Sequence, residues 1–368
     1  MPIEPNQDAR IVLTLDAGGT LLKFTAIRGN QLLIGPVSRP TEADNLERCL
    51  ANIVDGFGSI KQQLPSPPAA ISFAFPGPAD YPAGIISNVG NLPAFRGGVA
   101  LGPFLEEKFK LPVFINNDGD LFVYGEAIAG FLPYVNRLLA EAGNPKRYHN
   151  LFGITLGTGL GGGIVRDGEL FMGDNSAGGE VWLLRNKLDP GINAEEGASI
   201  RAVRKAYASL CGIPMDQAPE PKTIFEIGMG QAQGDGEAAR EAFRRVGEVA
   251  GDVVAQAVTL VDGLVVIGGG LAGAHPLFLP ALVAAANAEF EGRKDDMRRL
   301  IPRAFNIEDS EERAQFLRGD VRKITIPGSA RTVRYDPMQR IAVGISRLGT
   351  SEAVAIGAYA FALSKLGR

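Results

Sequence analysis

The chain has 368 residues, 45% hydrophobic and 21% charged, with a formal net charge of -4, the balance of an ordinary globular protein long enough for two domains. This charge excludes a general attraction for nucleic acid or anionic membrane, and the two distant cysteines, Cys49 and Cys211, exclude a disulfide framework or a cysteine zinc site. No apolar run reaches membrane-spanning length, and the polar start, Met1 to Arg10, has no signal core, so a cytoplasmic protein is expected.

The first predicted elements are a strand at Ile11 to Leu15, a glycine loop Asp16-Ala17-Gly18-Gly19-Thr20, a strand at Leu21 to Ile27, the turn Gly29-Asn30 and a strand at Gln31 to Ile34. Glu42 to Gln63 has Leu46, Leu50, Ile53 and Phe57 at helical spacing, and Pro65, Pro67 and Pro68 end it. The short strand Ala70 to Phe75 runs into Pro76-Gly77-Pro78, which cannot continue a central strand. Gly84 to Asn91 leads into Asn91-Leu92-Pro93, Val99 to Lys110 reads as helix, and Pro112 to Asn116 reads as strand. Asn116-Asn117-Asp118 stands at the carboxyl end of that strand, before a helix from about Leu121 to Phe131. Open α/β sheets bind ligands at such strand ends.

Pro133 to Asn150 is polar with one helical stretch and is the candidate hinge. A second hairpin then repeats the first. It runs from Leu151 to Leu156 through Gly157-Thr158-Gly159-Leu160-Gly161-Gly162-Gly163, Ile164 to Arg166 and the turn Asp167-Gly168 to Glu169 to Phe171. A hairpin, not a helix, follows these glycines, which sets aside a dinucleotide fingerprint. Glycines reach positive φ and let backbone N–H groups close on a bulky anion. Two matching loops, one led by an aspartate, therefore suggest two related halves that hold one anion.

After Gly178, Gly179 and Glu180, Glu195 to Ala208 reads as helix, with Ile200, Val203 and Tyr207 on one face. Gly236 to Val261 is the clearest helix, and Gly247 and Gly251 on it imply close packing or a nearby ligand. Leu264 to Ile267 is a buried-type strand ended by Gly268-Gly269-Gly270. Glu291 to Arg340 reads as an irregular, charge-rich insert with one strand pair, near Lys323 to Pro327 and Thr332 to Tyr335. Its interleaved charges suit a solvated or oligomer-facing surface. Ser351 is placed to cap the last helix, Glu352 to Leu366.

With these residues in hand the chain resembles the ROK family of sugar kinases, in the actin-like ATPase superfamily, from about Ile11 to Phe361. Five stretches carry the resemblance in the family's order. They are Asp16 to Thr20, Phe75 to Pro78 with Asn91-Leu92, Asn116 to Asp118 with Gly125-Glu126, Leu156 to Gly163, and Val261-Asp262 with Val265 to Gly270. The resemblance implies an α/β, two-lobe actin-like ATPase (ribonuclease H-like) fold with duplicated glycine-loop hairpins. Residues 1–132 with 353–368 would form one lobe and 133–352 the other.

It also implies ATP and Mg²⁺. Gly18, Gly19, Thr20, Gly157, Thr158, Gly159, Gly161, Gly268, Gly269 and Gly270 would surround the nucleotide, and Asp16 would orient Mg²⁺ through water. A buried, unpartnered carboxylate at the end of an apolar strand is costly, which also favours a metal role for Asp16. Asp118 is implied as the base that takes a proton from a sugar hydroxyl; the plain alternative is a helix cap. Asn91, Asn117, Asp118, Glu180 and Glu195 would meet the sugar.

Two departures stand out. The family's Glu-x-Gly-His is Glu180-Val181-Trp182-Leu183 here, and its cysteine-rich zinc loop is replaced by Asn193 to Ser199, with Glu195 the best match to the family's glutamate. No zinc site is expected, and Trp182, Leu183, Leu184 and Ile192 are expected to hold the loop by packing. The chain starts almost directly at the phosphate strand, so the helix-turn-helix arm of the family's repressors is not expected. His149 and His275 read as unspecialised, and Trp182 as packing.

The implied activity is phosphorylation of a primary hydroxyl of a hexose, either a glucose-type sugar or an N-acetylated amino sugar, by a homodimer or higher oligomer. A non-catalytic sugar sensor of the same fold is the rival, and Asp16, Thr20 and Asp118 speak against it. An actin-like ATPase acting on a protein is opposed by the Pro76-Gly77-Pro78 and Asn91 loop.

Overall fold

The computed structural model describes residues 5–77, 79–87, 92–290 and 297–367; Asn91, Pro78, Asp295 and Asp296 lie outside the described residues. The first half forms β1 (Val12–Ala17), β2 (Leu21–Arg28), β3 (Gln31–Pro40), α1 (Leu46–Gln62) and β4 (Ala70–Ala74). Three two-residue strands follow, β5 (Ala79–Asp80), β6 (Ile85–Ile86) and β7 (Val99–Ala100), then α2 (Leu101–Phe109), β8 (Val113–Asn116), α3 (Asp118–Ile128) and α4 (Phe131–Glu141). The second half forms β9 (Leu151–Leu156), β10 (Leu160–Arg166), β11 (Glu169–Leu170), α5 (Ile200–Cys211), α6 (Pro221–Gly228), α7 (Gly236–Val261), β12 (Leu264–Gly268) and α8 (His275–Ala286). Then come β13 (Arg303–Asn306), α9 (Ser310–Arg318), β14 (Arg322–Thr325), β15 (Thr332–Tyr335), β16 (Arg340–Ile345) and α10 (Thr350–Leu366).

The two main sheets repeat one plan, with strand orders β3-β2-β1-β4-β8 and β11-β10-β9-β12-β16-β13. In each, an antiparallel hairpin leads into parallel strands, β1 to β4 to β8 and β9 to β12 to β16. All five residues of β4 and all five of β12 are buried, the near-continuous apolar run that a parallel strand covered on both faces requires. β2 instead alternates, with Leu22 and Phe24 in the core and Leu21 and Lys23 out.

Helices α3 and α10 cross between the sheets. α10 covers β1 and β4, while α3 lies against β9 and β10. Tyr359 of α10 is fully buried, and its hydroxyl accepts from the Gly29 N–H at 2.9 Å and lies within hydrogen-bond reach of the Asp8 and Arg10 carbonyls. Gly247 and Gly251 of α7 face the backbone carbonyls of Phe278 and Leu282, so close packing against α8 is their role.

Several boundaries differ from expectation for local reasons. α1 starts at Leu46, because Asn45 caps it through Arg48 N–H and Glu42 has φ 51°. α3 starts at Asp118, capped by Asn117. Glu195 lies in a single 3₁₀ turn, Ala194–Glu196, and α5 begins after Ser199, whose hydroxyl caps it. Ser351 is no cap: α10 opens at Thr350 after Gly349, at φ 81°, and no side chain caps it. The 291–340 insert is more regular than expected, since β13 joins the second sheet and α9 is capped by Asp309.

Candidate active site

The strand ends of the two sheets open on one cavity of about 880 Å³. Of the predicted site residues, Asp16, Asn117, Asp118, Gly157, Thr158, Gly159, Gly161, Glu180, Glu195 and Gly269 line it. Gly18, Gly19, Thr20, Gly268 and Gly270 do not. Gly18 closes the first hairpin, its N–H donating to Leu21 O at 3.0 Å, and the carbonyls of Gly18 and Thr20 accept from Thr41. Gly268 is buried against the Phe122 ring.

Positive φ is found at Gly269 (86°) and not at Gly157, Gly159 or Gly161. Gly159 and Gly161 are needed for room, whereas a Cβ on Gly157 would meet nothing closer than Gly270 N at 4.0 Å. A Cβ on Gly159 would stand 2.4 Å from Glu195 Oε2, and one on Gly161 2.5 Å from Thr155 Oγ1. Gly269 is held by Thr350, whose Oγ1 accepts its N–H at 2.9 Å. α5 also abuts this loop, as Ile200 N–H donates to Gly157 O at 2.8 Å.

Asp16 is exposed at the last outward position of β1. Its carboxylate is open to the cleft, so burial gives no ground for a metal role. Directly opposite it on β2 is Lys23, which the sequence reading passed over and which also lines the cavity. Among the described residues the charged lining is otherwise acidic: Asp16, Asp118, Glu180, Glu195 and Glu352 share the cavity with this lysine.

Asp118 occupies the first position of α3. The cap itself is Asn117, whose Oδ1 accepts from Gly119 N–H at 2.7 Å, while Asp118 Oδ1 accepts the same N–H at 2.9 Å. Asp118 opens onto the cleft with protein close around the rest of its carboxyl. That crowding raises its pKa from the ordinary value, the backbone bonds oppose the rise, and the nearby Asp16 charge adds to it. Two residues further along α3, Asp120 is 3% exposed, and its Oδ1 has no hydrogen-bond partner. Burial, then the charges of Glu180 and Asp118, push its carboxyl well above the usual range. Tyr81 sits among these acids beside Asn117 and donates to Phe75 O at 3.1 Å.

On the opposite wall, Glu195 Oε2 accepts from Leu160 N–H at 3.0 Å, and Trp182 Nε1 donates to Glu180 Oε2. Trp182 is half-buried against the hydrophobic core of the second half and also lines the cavity, so packing is only part of its role. Of the four residues expected to hold the loop between these glutamates, Trp182 and Leu184 pack against the core, whereas Leu183 is 60% exposed. The loop is also pinned by buried Asn186, whose Oδ1 accepts from Leu188 N–H at 2.9 Å and Asp189 N–H at 3.2 Å, and by buried Ala194 and Ala198. Among the described residues no group of three or more His, Cys, Asp or Glu is arranged to hold a metal ion, and no helix is long and apolar enough to cross a membrane.

The ROK family model matches residues 12–298 of this chain. The crystal structure of a glucokinase from Parabacteroides distasonis superposes with a TM-score of 0.90 at 52% identity, covering 98% of this chain and 99% of that one. An N-acetyl-D-glucosamine kinase of Vibrio parahaemolyticus is 28% identical over 267 residues, 70% of this chain and 83% of its own length. The glucokinase of Thermotoga maritima is 26% identical over 286 residues, 74% of this chain and 85% of its own. The paired sheets are thus the two-lobe actin-like ATPase fold.

Proposed function

The chain belongs to the ROK family, and on that premise we propose that it is an ATP- and Mg²⁺-dependent sugar kinase acting on a primary hydroxyl of a hexose. The observation that carries this reading is Asp118 at the helix start, open to a cavity that the glycine loop Gly157 to Gly162, Gly269, Glu180 and Glu195 also line. A carboxylate so placed can take the proton of an attacking hydroxyl, and its raised pKa brings it nearer the working pH of a general base. Asn117 and the sugar-side glutamates fix the hydroxyl, and Asn91 is assigned to the same sugar. The glycine wall leaves room for phosphates from both halves, with residues 1–132 and 353–368 as one lobe and 133–352 as the other.

Five carboxylates against Lys23 make a poor home for a bare polyphosphate, so the nucleotide fits only with its charge offset. Mg²⁺ bound with the nucleotide would supply that offset, Asp16 being free to orient its waters. The glucokinase and N-acetylglucosamine kinase names of the relatives favour glucose-type or N-acetylated hexoses.

A coupled ADP-release assay over a panel of free hexoses tests the proposal. Sugar-dependent ADP release is expected with at least one member. Sugar binding by calorimetry without any ADP release would favour the non-catalytic sensor instead.

A further inference from the structure

Glu126 lies on α3 a little over two turns beyond Asp118, about 12 Å along a helix that rises 1.5 Å per residue. Its side chain is fully buried and serves the 346–349 link, where β16 of the second sheet gives way to α10 over the first. Oε1 accepts from the Ser346 hydroxyl and from Leu348 N–H at 3.1 Å, and Oε2 accepts from Phe131 N–H at 2.7 Å. The Arg347 N–H lies 3.2 Å from both oxygens. A Cβ on Gly130 would stand 2.1 Å from Oε2, so the turn into α4 is kept bare to admit this carboxyl.

The link is tied at both ends to β12 and the glycine loop that ends it. At its start, Ser346 N–H donates to Ile267 O at 2.9 Å. At its end, Gly349 N–H donates to Ser346 Oγ at 2.8 Å, and Thr350, next in line, accepts the Gly269 N–H. Glu308 steadies the approach to the link: its Oε1 accepts from Ile345 N–H and from Arg347 Nη2, both at 2.8 Å.

Asp118 and Gly269 line one cavity, yet distant parts of the chain carry them. The path from α3 through the Glu126 carboxyl, the link and Thr350 is a continuous run of hydrogen bonds that joins the two. A carboxyl that accepts several N–H groups holds their backbone in one place, and its removal strands those donors. We propose that Glu126 is a positioning residue that, through the 346–349 link and Thr350, sets the Gly269 loop at a fixed distance from Asp118. This deepens the kinase reading and rests on it for the roles of Asp118 and Gly269. A misplacement of about 1 Å far from the chemistry can cost about 10²-fold in rate, so a joint outside the cavity can govern turnover.

Two measurements on the full chain test it. In Glu126→Ala, amide hydrogen exchange read by mass spectrometry over 268–272 should quicken by about 10-fold or more, while β4 and α1 keep wild-type rates. In the coupled assay kcat should fall by about 10-fold or more, and Glu126→Ala/Thr350→Val should lose no more than the worse single variant, because both act on one path. If Glu126→Ala fails to fold, Ser346→Ala, which removes a single bond to the carboxyl, replaces it in both measurements. Wild-type exchange over 268–272 in a folded variant overturns the proposal, as do losses that multiply in the double variant. A lowered melting temperature with wild-type kcat and exchange also overturns it, leaving Glu126 a plain staple. A wild type that releases no ADP with any sugar sinks the kinase reading instead, and the exchange measurement still judges the link.

Discussion

Gly125 of α3 lies so close to Ala353 of α10 that a Cβ on it would stand 1.9 Å from the Ala353 carbonyl oxygen. The contact is reciprocal, because a Cβ on Gly357 of α10 would stand 1.9 Å from the Leu121 carbonyl oxygen of α3. Backbone cannot yield as a flexible side chain can, so the two helices can cross this closely only with glycine at both points. Gly125→Ala should cost about 1–3 kcal/mol by forcing the crossing apart. Gly58→Ala on α1, where a Cβ would meet nothing within 4 Å, should be neutral or stabilising. Urea unfolding checks both, and equal midpoints would show that the crossing tolerates the extra methyl.

Asp118→Asn keeps size and hydrogen bonding but cannot accept the proton. We expect kcat to fall by about 10²-fold or more, with sugar binding largely kept. Steady-state kinetics with sugar titration decide it; turnover within a few-fold of wild type would reduce Asp118 to a partner of the Gly119 N–H.

Gly159→Val acts through Glu195. The new Cβ would occupy the place of Glu195 Oε2 and break its bond to Leu160 N–H. Both the sugar KM and the affinity for a non-hydrolysable ATP analogue should worsen, because the residue lies between the two. An effect on neither, read by kinetics and calorimetry, would remove this loop from the site.

Asp120 offers a pH signature. Its folded-state pKa lies well above the unfolded value of about 3.9. The folded state therefore holds the proton more tightly, and stability declines as pH rises from that unfolded value through the raised one. Asp120→Asn does not titrate, so its melting temperature should fall less than that of wild type between acid and neutral pH. Parallel profiles would mean that Asp120 is charged and partnered in solution.

The loop from Glu180 to Ser199 should need no zinc, since Asn186 and buried alanines hold it and its cysteines are absent. Purified protein should carry no stoichiometric zinc, and zinc chelators should leave its melting temperature unchanged. About one zinc per chain by elemental analysis would refute this.

Much of the architecture was legible because composition and spacing encode it locally. The hairpin turns Gly29-Asn30 and Asp167-Gly168, the apolar runs of β4 and β12 and the long period of α7 each declare their own element. Residues whose state depends on neighbours distant in sequence were harder to read. Asp16 was expected to be buried because four apolar-flanked positions of β1 precede it, yet the strand leaves the core one residue earlier. Lys23 could have been found by counting the hairpin register back from Asp16. Asp118 beside Asp120 was visible in the sequence, but the burial of Asp120 and its Glu180 neighbour come only with the approach of α3 to the Glu180 wall. Asn186 likewise looks like any loop asparagine until the chain folds around it.

The clasp of Tyr359 over the first hairpin sets the order in which the protein can be completed during synthesis. Its hydroxyl meets the Gly29 N–H across a separation of 330 positions, and Tyr359, Ala362 and Leu363 cover Val12, Ile27 and Ala70. A ribosome adding about 5–20 residues per second needs on the order of tens of seconds to bridge that gap. Throughout that time the face of the first sheet that α10 will cover stays uncovered on the nascent chain. The first-made half is therefore the last to be sealed, and it is the part a folding helper would have to guard.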